Sequence, residues 1–287
     1  MLKWGLRTAA ALVLASTVSF GQSLQKAEDL YQHTDFEGSL AVLNKHSNDA
    51  ATNFLMGRDY FSLGQFKKAA DTLEQAAAED NRSSEYQDWL GRAYGRRAET
   101  SNPLMAPGFA SKARQAFERS VELNPKNSDA LSDLFDYYLE APGFLGGGYD
   151  KAMTVADKIA VIDPSEGYFA KARLAQKRKD LQQAELHLRQ AVALAPRQVG
   201  KLLELAKLLS REGRTQESDA MFKHADEISP NTPSVWFTWA DTLIKEKRNL
   251  PEAKTLLQKY IQAQITPDDP PKSQASKLLK QVAENGV

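Results

Sequence analysis

Small and large apolar residues recur along this chain at the spacing of a helical turn. Ala113 and Phe117, Ala184 and Leu188, and Ser218 and Phe222 each set a small residue four positions before a large one, which puts both on one helix face. Amphipathic runs of this kind close on one phrase written four times: Glu122-Leu123-Asn124-Pro125, Val161-Ile162-Asp163-Pro164, Ala193-Leu194-Ala195-Pro196 and Glu227-Ile228-Ser229-Pro230. Proline cannot continue a helix, so each phrase marks an end. The four prolines stand 39, 32 and 34 residues apart. A further anchor opens each unit: Met56-Gly57-x2-Tyr60, Leu90-Gly91-x2-Tyr94, Leu134-Phe135-x2-Tyr138, Leu205-Ala206-x2-Leu209 and Trp239-Ala240-x2-Leu243. Small residues there let two helix backbones approach, and the large ones fill the space beside them. Few stretches favour strands. The pattern predicts an all-α chain of repeated helix pairs.

On these anchors the chain resembles the tetratricopeptide repeat (TPR) family, of exported bacterial type. The family's unit is a helix–turn–helix of about 34 residues with W-x2-L-G-x2-Y, A-x3-F and P anchors. Repeats beginning near Ala50 and Ser84, and again near Ser165 and Val199, are 34 residues apart. The resemblance implies a right-handed superhelical solenoid of about seven repeats over residues 22–265. The first repeat is degenerate, with Lys26 and His46 at anchor positions, as a terminal unit with one neighbour can be. Insertions lie near residues 100–108, where Pro103 and Pro107 predict a loop, and near 141–148. After the break at Pro267 to Pro271, residues 271–285 form a capping helix with Ala275, Leu278, Leu279 and Val282 on one face. An open array needs such a cover.

The start of the chain reads differently. Lys3 and Arg7 precede a short apolar run from Thr8 to Val18, and Ser19-Phe20-Gly21 supplies small residues at −3 and −1 of a cleavage site. This is the layout of a secretory signal peptide, residues 1–21, and the run is too short to span a bilayer. No later stretch is long and apolar enough to do so. The expectation is export to the periplasm, or secretion, as a soluble protein without a transmembrane segment. The chain has 287 residues and no cysteine, with 37 basic side chains balanced by 37 acidic ones. That balance argues against a nucleic-acid partner. The lack of cysteine excludes disulfides, thiolate metal sites and a lipidated N-terminal cysteine.

Chemistry is harder to find. The sequence carries no HExxH, GxSxG, P-loop or paired-cysteine pattern. Gly146-Gly147-Gly148 lacks the remainder of any nucleotide motif, leaving either an anion-holding backbone nest or a plain inter-helix turn. The four histidines do not converge by spacing, and no acid/base pair stands out. The expectation is no catalytic residue, no metal and no cofactor.

In TPR arrays the first helix of each repeat lines a concave groove. Carried over repeat by repeat, the resemblance places Phe54, Arg58 and Phe61, then Arg92 and Arg96 with Asp88, on that wall. It adds Asp136, Leu139 and Glu140; Phe169, Arg173 and Lys177; Leu203, Lys207 and Arg211; and Phe237, Asp241 and Ile244. Guanidinium and ammonium groups beside phenyl rings suit an acidic peptide or a partner's C-terminal segment. The plainer alternative is that Asp and Glu neutralise these cations locally. Two functions remain: a non-enzymatic scaffold or adaptor holding a protein or peptide partner in the groove, or an accessory of a transport system that binds a small organic anion.

Overall fold

The structure, a computed structural model, describes residues 21–45 and 49–284. The expected signal peptide lies outside them except for Gly21, and His46 lies outside them too. Among the described residues there is no strand, and the helices come in pairs. The first pair is α1 (residues 21–32) and α2 (Phe36–Leu43). Then come α3 (Ala50–Ser62) with α4 (Phe66–Glu79), and α5 (Ser84–Thr100) with α6 (Ala106–Leu123). The fourth pair, α7 (Ser128–Glu140) and α8 (Tyr149–Ile162), brackets a 3-10 turn at Gly143–Leu145. The fifth is α9 (Pro164–Lys177) with α10 (Leu181–Leu194), and the sixth α11 (Val199–Arg211) with α12 (Thr215–Ile228). The seventh, α13 (Pro233–Lys245) with α14 (Leu250–Gln262), is followed by a single helix, α15 (Lys272–Glu284).

Local chemistry sets these boundaries. The Asp49 carboxylate accepts from the amides of Ala51 and Thr52 at 3.1 and 3.0 Å, and Asp163 does the same for Ser165 and Glu166 at 2.8 and 3.1 Å. Both satisfy amides that a helix start leaves without partners. The proline phrases end α6, α8, α10 and α12 two residues before each proline. At Pro164 no turn intervenes: Asp163 closes α8 and caps α9, and the proline is the first residue of α9.

Five pairs share one connecting turn. A left-handed residue stands at Thr34, Gly64, Lys179, Gly213 and Lys247, with φ of 60, 72, 61, 76 and 50°. The next amide donates back to the carbonyl five residues earlier: Asp35 to Leu30, Gln65 to Tyr60, Asp180 to Ala175, Arg214 to Leu209 and Arg248 to Leu243, at 2.8 to 3.0 Å. This closure ties off the helix end. Glycine takes that φ without steric cost, whereas threonine and lysine do not.

The chain divides into two compact units, Met1–Leu134 and Phe135–Val287, with the boundary inside α7. In the first unit the helices from α2 to α6 each pack on the next in sequence. Gly57 and Gly91 lie where a Cβ would come within 2.5 Å of Leu73 and of Phe117, so the glycines are required for helix approach. The insertion near residues 100–108 lengthens helices more than it loops. Here α5 runs 17 residues and α6 runs 18, and only residues 101–105 lie between them. Pro107 sits in the first turn of α6, where its missing amide proton costs nothing.

In the second unit the core runs through α11 to α15, around Leu202, Phe222, Trp236, Trp239, Leu257 and Tyr260. Gly167 on α9 meets α8 more tightly than either glycine of the first unit, since a Cβ there would fall 2.3 Å from the Ala160 Cβ. The terminal helix α15 buries Ala275 and Val282 in the same core, with Leu278 and Leu279 partly covered. It therefore caps the last pair.

Candidate functional site

In the first unit the first helices bring rings and guanidinium groups together. Trp89 of α5 is half-buried, with Phe61 of α3 edge-on at 5.6 Å between centroids. Arg58 and Arg92 lie over the indole at 5.4 and 4.9 Å. Phe54 stacks on Tyr86 at 4.5 Å, Phe61 meets Phe66 edge-on at 5.5 Å, and Arg96 lies 4.9 Å over the Phe66 ring.

Each of these cations already has a carboxylate. Arg58, only 13% exposed, holds Glu28 of α1 through both terminal nitrogens, at 2.9 and 3.3 Å. Arg92 bridges Asp88 on its own helix, at 3.1 Å, to Asp133 on α7. Arg96 pairs with Glu99. A fork-to-fork arginine–carboxylate pair is geometrically specific as well as charged.

Two carboxyls here are buried. Asp88 is 2% exposed, and burial pushes its carboxyl up to about 8, with the nearby Asp133 charge adding and Arg92 opposing. Burial raises Asp133 as well, against the pull of Arg92. Asp59 of α3 is fully buried, and neither of its oxygens accepts a well-formed hydrogen bond. Burial lifts it to about 7, offset only in part by the Ser39 hydroxyl of α2 and by Arg58.

The second unit repeats the charge compensation. Arg173 of α9 pairs with Asp136 of α7 and lies 5.3 Å over the Phe135 ring. Lys177 holds Glu140 at 2.6 Å, and Lys207 holds Glu204 at 2.5 Å. Lys201, which the sequence did not single out, is 3% exposed and reaches Glu166 of α9 at 2.7 Å as well as Gln198. With Phe169, Val199 and Gly200 these residues line an open cleft of about 310 Å³. Arg211 is exposed and makes no ion pair among the described residues.

In each unit the expected cations stand on first helices, and all but Arg211 have their charge spent within the chain. Phe54 and Phe237 require a correction. Both lie in packed cores, 6% and 7% exposed, because each ring turns toward a neighbouring helix: Phe54 meets Tyr86, and Phe237 meets Tyr260 at 5.2 Å. Phe61 and Phe169 stay half-buried.

The glycine loop also resolves. The amides of Gly146, Gly147 and Gly148 donate to the carbonyls of Gly143, Pro142 and Tyr138. Gly146 and Gly148 have φ of 88 and 151°, and a Cβ on Gly147 would fall 1.9 Å from the Ala141 carbonyl oxygen. These glycines build a turn, and their amides are not available to an anion. Among the described residues no group of three or more His, Asp or Glu is placed to hold a metal ion. Among the same residues no helix is long and apolar enough to cross a membrane.

Paired helices with small residues at their crossings, a shared left-handed turn and a terminal cap define a helical-repeat protein. Residues 165–198 and 202–232 match the tetratricopeptide repeat model, so the chain carries tetratricopeptide repeats. Solved structures carry the same fold. A TPR protein from Parabacteroides merdae aligns over 92% of this chain and 99% of its own, with TM-score 0.60 and 16% identity. A thermophilic TPR protein from Thermus thermophilus covers 66% of this chain and 98% of its own, with TM-score 0.55 and 18% identity. A chain of the APC/C hetero-tetramer Cut9–Hcn1 matches over 89% of this chain and 48% of its own, with TM-score 0.50 and 15% identity. No curated protein sequence matches.

Proposed function

We propose that this protein is a non-catalytic scaffold that binds a protein or peptide partner along the faces of its first helices, after export to the periplasm. The observation that carries this reading is the recurrence of half-buried rings and ordered Arg and Lys side chains on successive first helices. Phe61, Trp89, Arg92 and Arg96 form one such set and Phe169, Arg173, Lys177 and Lys207 the other, with the exposed Arg211 beside the second. Side chains already held by intramolecular pairs lose little freedom on binding, which favours recognition of an extended surface. The assembly of Cut9 with Hcn1 in a related fold agrees with such a role.

Export rests on the N-terminal pattern of Lys3, Arg7 and the run from Thr8 to Val18. Cell fractionation with N-terminal sequencing tests it, and a mature chain beginning at Gln22 is the expected result. For binding, the test is affinity capture from periplasmic extract, repeated with Trp89→Ala and Arg211→Glu variants. A partner kept by the wild type and lost by at least one variant supports the reading, whereas one kept equally by all three moves the site elsewhere.

A further inference from the structure

We propose that the first-helix face of the first unit selects an apolar or aromatic anchor side chain, received at the half-buried Trp89 ring beside Phe61, rather than an acidic segment. This rests on the scaffold reading above and names the partner chemistry.

Charge on this face is closed within the chain. Arg58 is matched by Glu28, Arg92 by the Asp88 and Asp133 pair, and Arg96 by Glu99. An incoming carboxylate would have to displace a resident one. For Arg58 that means breaking a bidentate pair in a site 13% exposed, which returns no net charge-assisted bond and strands Glu28. The Asp88 and Asp133 carboxyls beside Trp89 disfavour a further anion, since burial already raises both.

What the face leaves partly exposed is aromatic surface. Phe61, Tyr86 and Trp89 are each half-buried. Phe61 stands at 90° to the indole, which fixes the ring orientation, and the guanidinium groups of Arg58 and Arg92 lie over it. A pre-ordered indole flanked by rings is the kind of surface that receives a buried aromatic or long aliphatic anchor. Complementarity of charge thus points to a neutral partner segment with an apolar anchor.

The test is selection of random peptides displayed on phage against the purified protein, followed by titration of the enriched peptides. The expected peptides share a Phe, Trp, Leu or Met anchor. They bind Trp89→Ala about tenfold or more weakly, bind Trp89→Phe nearly as well as the wild type, and change little with salt. Phe61→Ala serves as a second truncation, and whichever of the two retains its circular dichroism reports. Enriched peptides that are acidic, salt-sensitive and indifferent to loss of Trp89 and Phe61 overturn this inference while leaving the scaffold reading intact. Failure to enrich any peptide, or enrichment of peptides that ignore every first-helix substitution, overturns both.

Discussion

Replacing Asp59 by Asn should remove a pH dependence from the first unit. Asp59 is fully buried without a well-formed hydrogen bond, and burial raises its carboxyl from 3.8 to about 7. Below about pH 4 the group is protonated in both folded and unfolded chains. As pH rises from about 4 to about 7 the unfolded chain releases the proton and the folded chain keeps it, so stability falls across that window and levels off above it. Three units at about 1.4 kcal/mol each amount to about 4 kcal/mol. The Asn amide has its own hydrogen-bonding needs and costs about 1–2 kcal/mol at every pH. The informative quantity is therefore the slope. Asp88, raised to about 8, and Asp133 keep their own dependence in both proteins, so the difference between wild type and variant isolates Asp59. Urea unfolding followed by far-ultraviolet circular dichroism at about pH 5 and about pH 8 should show the variant losing less stability over the interval. Parallel loss in the two proteins would mean that Asp59 is hydrated or paired, and the reasoning from burial would be wrong.

Further outcomes follow from packing and charge. Gly57→Leu or Gly91→Leu drives a side chain into Leu73 or Phe117 and should cost about 1–3 kcal/mol. Gln75→Leu on the exposed side of α4 should cost almost nothing, and equal melting shifts would contradict the packing register. Removing residues 272–287 uncovers Leu256, Leu257 and Tyr260, now buried. Loss of helicity should begin at α13 and α14, read by hydrogen exchange, and unchanged protection there would remove α15 as a cap. Lys179→Gly or Lys247→Gly relieves a left-handed lysine and should raise stability by about 0.5–1 kcal/mol. Arg92→Glu should lower the melting temperature, because it sets a third acid against Asp88 and Asp133, while Arg211→Glu should leave it unchanged. Equal shifts for the two would show that the Arg92 network contributes no stability.

The helix pairs were legible because each repeat states the same anchors again. Gly57, Ala113, Phe117, Ala184 and Phe222 fall where the periodicity puts them, all of them buried. The charge network was only half legible. Arg and carboxylate partners were both visible at first-helix positions, but Asp136 and Arg173 lie 37 residues apart and Arg92 and Asp133 lie 41 apart. Their pairing depends on helix crossing rather than local spacing. Asp59 and Asp88 carried a signal that comparison between repeats exposes. Asp59 holds the tenth place of its repeat, which Ala93, Leu174 and Leu208 fill with buried apolar side chains. Asp88 holds the fifth, filled elsewhere by Phe54, Leu203 and Phe237, all buried. The same comparison shows why Phe54 and Phe237 belong to the core. Lys179 and Lys247 at left-handed turns gave no sign in composition, since the two equivalent glycines, Gly64 and Gly213, obey the ordinary preference.

The most direct test of partner binding on first helices is photocrosslinking in the intact cell. A benzophenone side chain placed at Phe61 or Arg211 reports a first-helix face, and one at Gln75 or Lys223 reports a second helix, where both side chains are exposed. Covalent adducts with a protein partner should form from Phe61 or Arg211 and not from the second-helix positions. Adducts confined to Gln75 or Lys223, or absent from all four, would contradict the scaffold reading.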